Sequence, residues 1–118
     1  MHELSIAQGI IDVVTTKAAE CQATRVKEVR LLIGEASGVA LDPLTFCFEM
    51  LAGMDPVLSG AHLSIQSLPH RARCRNCARE FNIPEFVARC PECAGWDTEV
   101  ISGNELQVLE MEFEDSYR

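Results

Sequence analysis

From the start of the chain, apolar residues recur at steps of three and four: Leu4, Ala7, Ile11, Val14, Ala18 and Cys21. That spacing marks one face of a helix of about five turns. Past Ala23-Thr24 the period drops to two. Val29, Leu31 and Ile33 alternate with Glu28 and Arg30 up to Gly34, which predicts a half-buried strand. Asp42-Pro43 then reads as a second helix start, with Asp42 as the cap and Pro43 at the first helical position. Leu44, Phe48 and Leu51 supply its buried stripe, with Cys47 beside it. Gly53 to Gly60, with Pro56 inside, is turn sequence, after which Ala61, Leu63 and Ile65 alternate with His62, Ser64 and Gln66 as a second strand. A third strand begins at Glu105, after Ser102-Gly103-Asn104. Its parity changes from Leu106 and Val108 to Leu109, Met111 and Phe113, so a bulge or a strand covered on both faces is expected. Glu110, Glu112 and Glu114 alternate along its far side and read as a solvated edge that continues into Asp115.

The segment between the second and third strands, His70 to Asp97, follows neither period. Its few apolar residues centre on Phe81-Asn82-Ile83, too little for a core, but it holds Cys74, Cys77, Cys90 and Cys93 as two Cys-x2-Cys pairs twelve residues apart. Two such pairs make the tetrahedral four-thiolate site that suits Zn2+, and four thiolates leave no position for water or substrate, so the zinc is expected to be structural and required for folding. The expected fold class is α+β: a three-stranded sheet with two helices and an inserted four-cysteine zinc ribbon. Residues 1–69 and 99–118 form one discontinuous domain in this reading, and residues 70–98 form the ribbon.

Composition narrows the function classes. At 118 residues, 47% hydrophobic and 24% charged, the chain suits one compact soluble domain with a metal-stapled appendage. No apolar run reaches the roughly 18 to 20 residues of a membrane span, and no secretory signal opens the chain, so a cytoplasmic location without membrane association is expected. The net charge of −8, from 18 acids and 10 bases, repels a phosphate backbone and speaks against nucleic acid as a partner. Arg71, Arg73, Arg75 and Arg79 form the one basic cluster. They read as offsetting the zinc–thiolate charge of about −2 and donating to sulfur, with a binding patch as the alternative. Cys21 and Cys47 read as buried small hydrophobes rather than a disulfide.

Met1-His2-Glu3 is the second candidate site. The Met1 amine, the His2 amide nitrogen and the His2 imidazole can chelate one metal in fused rings, a nitrogen set that square-planar Ni2+ or Cu2+ accepts and from which Zn2+ gains far less. A fourth donor is open between the Glu3 amide, the Glu3 carboxylate and another protein. Met1 should survive processing, because histidine is a large second residue. The plainer alternative makes His2 an ordinary first residue and Glu3 an acid favourable at a helix N-terminus. His62 and His70 read as surface histidines, although His70 lies near enough in sequence to Cys74 to join a metal shell.

Met1-His2-Glu3-Leu4-Ser5, the strand end Ile33-Gly34-Glu35, the helix piece Phe46-Cys47-Phe48-Glu49 and the paired cysteine knuckles together resemble the HypA/HybF hydrogenase maturation proteins, which are nickel metallochaperones. The likeness runs along essentially the whole chain in the same order. It implies a non-enzymatic carrier that takes up Ni(II) as transient cargo and helps insert it into the large subunit of a nickel-iron hydrogenase, working with a maturation GTPase and in some organisms serving urease maturation factors. By position it makes Met1, His2 and Glu3 the nickel-binding residues and Cys74, Cys77, Cys90 and Cys93 the zinc ligands. The second knuckle continues Cys93-Ala94-Gly95-Trp96 and offers no histidine for a further nickel ligand. A zinc-ribbon interaction or nucleic-acid-binding module is the competing class, followed by a rubredoxin-like iron protein. A hydrolytic or nucleophilic enzyme is the weakest reading, because no supporting residue set is present. The segments flanking the ribbon leave a domain-swapped homodimer open, but no residue demands one.

Overall fold

The computed structural model describes residues 3–114. Its elements are α1 (Glu3–Glu20), β1 (Arg25–Gly34), α2 (Leu41–Ala52), β2 (His62–Leu68), β3 (Arg71–Cys74), β4 (Glu80–Asn82), β5 (Thr98–Ser102) and β6 (Leu106–Glu114). They make two three-stranded sheets, ordered β2-β1-β6 and β4-β3-β5. The chain divides into two compact units, one of Met1–Leu31, Gly38–Gln66 and Gln107–Arg118, the other of Leu32–Ser37 and Ser67–Leu106. Strand β5 pairs with β3 and lies in the metal-bearing unit.

In the first unit α1 packs against α2. The buried face of α1 is Ala7, Ile10, Ile11, Val14 and Ala18, while Leu4 is exposed. Cys21 is exposed as well, contrary to the expected stripe. The helix stops at Glu20 in a Schellman cap: Gln22 is left-handed (φ 56), its N–H donates to Ala19 O at 3.1 Å, and Ala23 N–H donates to Ala18 O at 2.9 Å. That reversal turns Cys21 out of the helical phase.

Helix α2 begins one residue before the expected cap. Ala40 is the N-cap, in an extended conformation with no side-chain cap, and Asp42 lies in the first turn. Pro43 is then the third helical residue, still among the positions whose N–H has no partner inside the helix, so its missing donor costs nothing. Leu44, Phe48 and Ala52 are buried, and Cys47 is half-buried.

The strands follow their periodicity. Val29, Leu31 and Ile33 are buried in β1, with Val26 and Leu32 also inside. In β6 the phase change appears as burial: Val108, then Met111 and Phe113, are half-buried, whereas Leu106 and Leu109 stay exposed, so β6 is not covered on both faces. The acidic side of β6 is solvated but paired. Glu114 meets Arg25 at 3.8 Å, Glu112 meets Lys27 at 3.6 Å, and Glu110 meets Arg30. Partners that step in opposite directions along the two strands mark them as antiparallel. With side chains more than half exposed on the β6 side, these pairs add little stability.

Candidate metal centre

The second unit is built around β3. Ala72 faces Phe81 of β4 and Val100 of β5, and Cys74 faces Thr98, all in antiparallel register. Its buried cluster is Ala72, Cys74, Phe81, Ile83 and Cys90, with Ala88 packed against it. Two of those five are cysteines, so the metal site and the core of this unit are the same object.

Each cysteine pair folds as the same knuckle. In the first, Cys74 N–H donates to Arg79 O at 2.8 Å and Ala78 N–H to Cys74 O at 2.9 Å; in the second, Cys90 N–H donates to Gly95 O and Ala94 N–H to Cys90 O, both at 2.9 Å. The residue after each second cysteine is left-handed, Ala78 at φ 65 and Ala94 at φ 62. The leading cysteines, Cys74 and Cys90, are buried and the trailing Cys77 and Cys93 are exposed, with all four sulfurs within 4.8 Å of one another. Cys74 Sγ lies 3.6 Å from Cys93 Sγ, and Cys77 Sγ lies 3.6 Å from Cys90 Sγ. A tetrahedron with Zn–S bonds of about 2.3 Å has S–S edges of about 3.8 Å, so the donor set fits zinc in type and spacing.

The electrostatics fit a cation as well. The Cys93 N–H, followed by that of Glu92, lowers the Cys90 thiol to about 7. At Cys77 the Arg79 N–H pulls down, but lost hydration and the neighbouring thiols outweigh it and push the group up to about 11. The Cys93 thiol is also raised on balance, the Gly95 N–H opposing its thiol neighbours. Thiolates this close oppose one another's ionisation, and a divalent cation at their centre removes the conflict. Sulfur is therefore served by backbone amides and not by the arginines expected to donate to it. Arg75 binds Asp97 Oδ1 at 3.0 Å, Arg79 binds Glu92 Oε1 at 3.1 Å, and Arg71 binds Asn82 Oδ1 at 2.8 Å. His70 does not join the cluster. Its ring stands edge-on to Phe86 with centroids 5.4 Å apart.

Sequence periodicity missed β3, which ends in Cys74, and its partners β4 and β5; for β3 and β5 a signal was there. Their signals were present as alternation in Arg71-Ala72-Arg73-Cys74 and as β-branched residues in Thr98-Glu99-Val100-Ile101-Ser102.

Residues 1–113 match the family model described as hydrogenase/urease nickel incorporation, metallochaperone, hypA. The chain belongs to the HypA family. Proteins named hydrogenase maturation factor HypA are 45% identical over 118 residues in Streptomyces avermitilis, covering 98% of this chain and 88% of the relative. In Dehalococcoides mccartyi the identity is 40% over 115 residues, covering 98% and 96%. The fold is that of the nickel metallochaperone HypA from Helicobacter pylori, with a TM-score of 0.68 at 25% identity over 96% of this chain and 97% of that one. A second solution structure of a HypA protein gives a TM-score of 0.73 at 25% identity over 97% of each chain. The four-cysteine cluster suits a structural zinc, and as a member of this family the protein is a metallochaperone for maturation, not an enzyme.

Of the nickel residues expected from the HypA resemblance, Met1 and His2 lie outside the described residues. Glu3 is the first residue of α1, and its Oε2 accepts the Ala40 N–H at 2.9 Å. No periodicity or motif pairs positions 3 and 40. Among the described residues no helix is long and apolar enough to cross a membrane.

Proposed function

We propose that this chain carries Ni(II) at Met1, His2 and Glu3 and delivers it to the large subunit of a nickel-iron hydrogenase, in the cytoplasm and together with the pathway's maturation GTPase. Urease maturation factors are a second destination of the same cargo, and a homodimer is the form in which the carrier could present it. Membership of the family over residues 1–113 is the observation that supports the reading most. The chemistry agrees with it. Soft sulfur donors are gathered in a closed site suited to zinc, whereas the chain's start offers an amine, an amide nitrogen and an imidazole, the harder nitrogen set that suits nickel. The discontinuous unit that holds α1, residues 1–69 and 99–118 in the sequence division, is the nickel-binding part in this proposal.

Calorimetric Ni2+ titration of zinc-loaded protein with an untagged N-terminus, beside His2→Ala, tests the reading. About one nickel per chain is expected for the wild type, by the single chelate set of the N-terminus, with loss in the variant and zinc retained in both. Affinity should fall as pH drops through the imidazole range, because the coordinating nitrogens must be deprotonated. Equal binding by both proteins, or by neither, defeats the proposal.

A further inference from the structure

Helix α2 is apolar on two sides. Leu44, Phe48 and Ala52 face the core, yet on the opposite side Phe46 is 66% exposed and Met50, one turn on, is 45% exposed. Met54, 71% exposed, extends that line past the end of the helix, where its N–H still donates to Leu51 O at 3.1 Å. Three large apolar side chains at steps of four lie on one ridge, unlike the singly scattered apolar residues of an ordinary surface. Asp42 and Glu49, both exposed and seven residues apart, run along one flank of that ridge. The chain has neither lysine nor arginine from residue 31 to residue 70. Among the described residues the cations of the same unit are engaged elsewhere, Lys17 with Glu20, Arg25 with Glu114, Lys27 with Glu112 and Arg30 with Glu110.

We propose that this ridge is a docking surface for an amphipathic helix of another protein, one whose apolar stripe is flanked by lysine or arginine. The charge decides the occupant. A second copy meeting this face across a twofold axis would bring four carboxylates together with no cation, and an anionic lipid surface would meet the same carboxylates on a chain of net charge −8. A cationic helix gains where those two lose. Phe46 to Met54 spans about 12 Å, the length of about two helical turns, so apolar residues at i, i+4 and i+7 of a partner match the ridge. Phenylalanine supplies a rigid anchor, and the two flexible thioethers fit themselves to the partner's side chains.

The probe is a fluorescein-labelled helix of leucine and lysine, about 18 residues long so that it is helical, with leucine in the stripe and lysine beside it. Its control carries glutamate in place of lysine. Fluorescence anisotropy follows binding to the zinc-loaded full chain, and amide NMR shifts locate it. Phe46→Ala and Met50→Ala should each weaken binding roughly tenfold, as truncated anchors do. Asp42→Asn combined with Glu49→Gln should weaken it about threefold to tenfold, with a shallower salt dependence. On α1, Val13→Ala, also half exposed, and Asp12→Asn combined with Glu20→Gln, the same change in net charge, should stay within about twofold. Helical ellipticity and zinc content establish that each variant is folded. The glutamate helix should not bind, and the shifts should cluster on Phe46, Glu49, Met50 and Met54. The proposal is overturned if the α1 and α2 variants weaken binding alike, if the lysine helix fails to bind, if the glutamate helix binds as well, or if the shifts fall elsewhere. It is equally overturned if the peptide-free chain sediments as a dimer that Phe46→Ala dissociates, or floats with phosphatidylserine vesicles through Phe46, since the face then belongs to a second copy or to lipid.

Discussion

Substituting Gly34 by alanine tests a close backbone crossing in the metal-bearing unit. A Cβ on Gly34 would lie 2.0 Å from Gly103 O, 2.1 Å from Gly103 C and 2.6 Å from Asn104 N. All three are backbone atoms, so no side-chain rotation relieves the overlap, and the segments must separate by about 1 Å to reach the tightest contact real structures tolerate. Gly103 cannot retreat easily. It is left-handed at φ +120, and a Cβ placed on it would meet His70 Cα at 2.7 Å. The hydrogen bonds that span the crossing are Gly34 N–H to Glu105 O at 2.9 Å and Ala36 N–H to Gly103 O at 2.7 Å. Losing both costs about 2 kcal/mol and residual overpacking about 1 to 2 more, giving about 3 to 4 kcal/mol in all. Gly9→Ala is the matched control. Gly9 lies inside α1 with nothing within 4 Å of a built Cβ, so alanine there should stabilise by about 0.5 to 1 kcal/mol. In urea titrations of the zinc-loaded proteins, the midpoint of the metal-bearing unit, read from the single tryptophan Trp96, should fall by more than about 1 M for Gly34→Ala at ordinary m-values. The helical transition should rise slightly for Gly9→Ala, and zinc should pass faster from Gly34→Ala to a chromophoric chelator. A Gly34→Ala midpoint within about 0.3 M of wild type would refute the crossing.

The left-handed alanines offer the opposite change: Ala78→Gly and Ala94→Gly, at φ 65 and 62, should each stabilise the zinc-loaded unit by about 0.5 to 1 kcal/mol in the same titration. A loss of stability in either would show that the methyl group is worth more than the backbone relief. Stripping zinc with a chelator should open the second unit to proteolysis between β3 and β5 while α1 and α2 keep their ellipticity, because two of the five residues in its cluster are metal-site cysteines; joint loss of both signals would show that the helices depend on the ion.

Both helices, the strands β1, β2 and β6 and the zinc ligands were readable along the chain, because each depends on a short repeat: three to four residues for a helix face, two for a strand, two between paired cysteines. Two of the errors fall where a distant group overrules a local signal, and the one at Cys21 falls at a helix end. Asp42-Pro43 looks like a cap, yet α2 starts earlier because Glu3 serves the Ala40 N–H from another helix. Cys21 continues the stripe of α1 on paper, but the left-handed Gln22 ends the helix before it. Four alternating residues are too few to name β3 a strand until β4 and β5 pair with it.

By itself the sequence therefore determined the soft sulfur donors in two spaced pairs, since donor type is a property of the side chain and knuckle spacing is local. Only the tertiary structure decided that the sulfurs share one centre, that backbone amides and not arginines serve them, and that the Glu3 carboxylate is held by Ala40. Those contacts join residues far apart in the chain, and their partners are chosen by the packing of whole elements, which no short window of sequence contains.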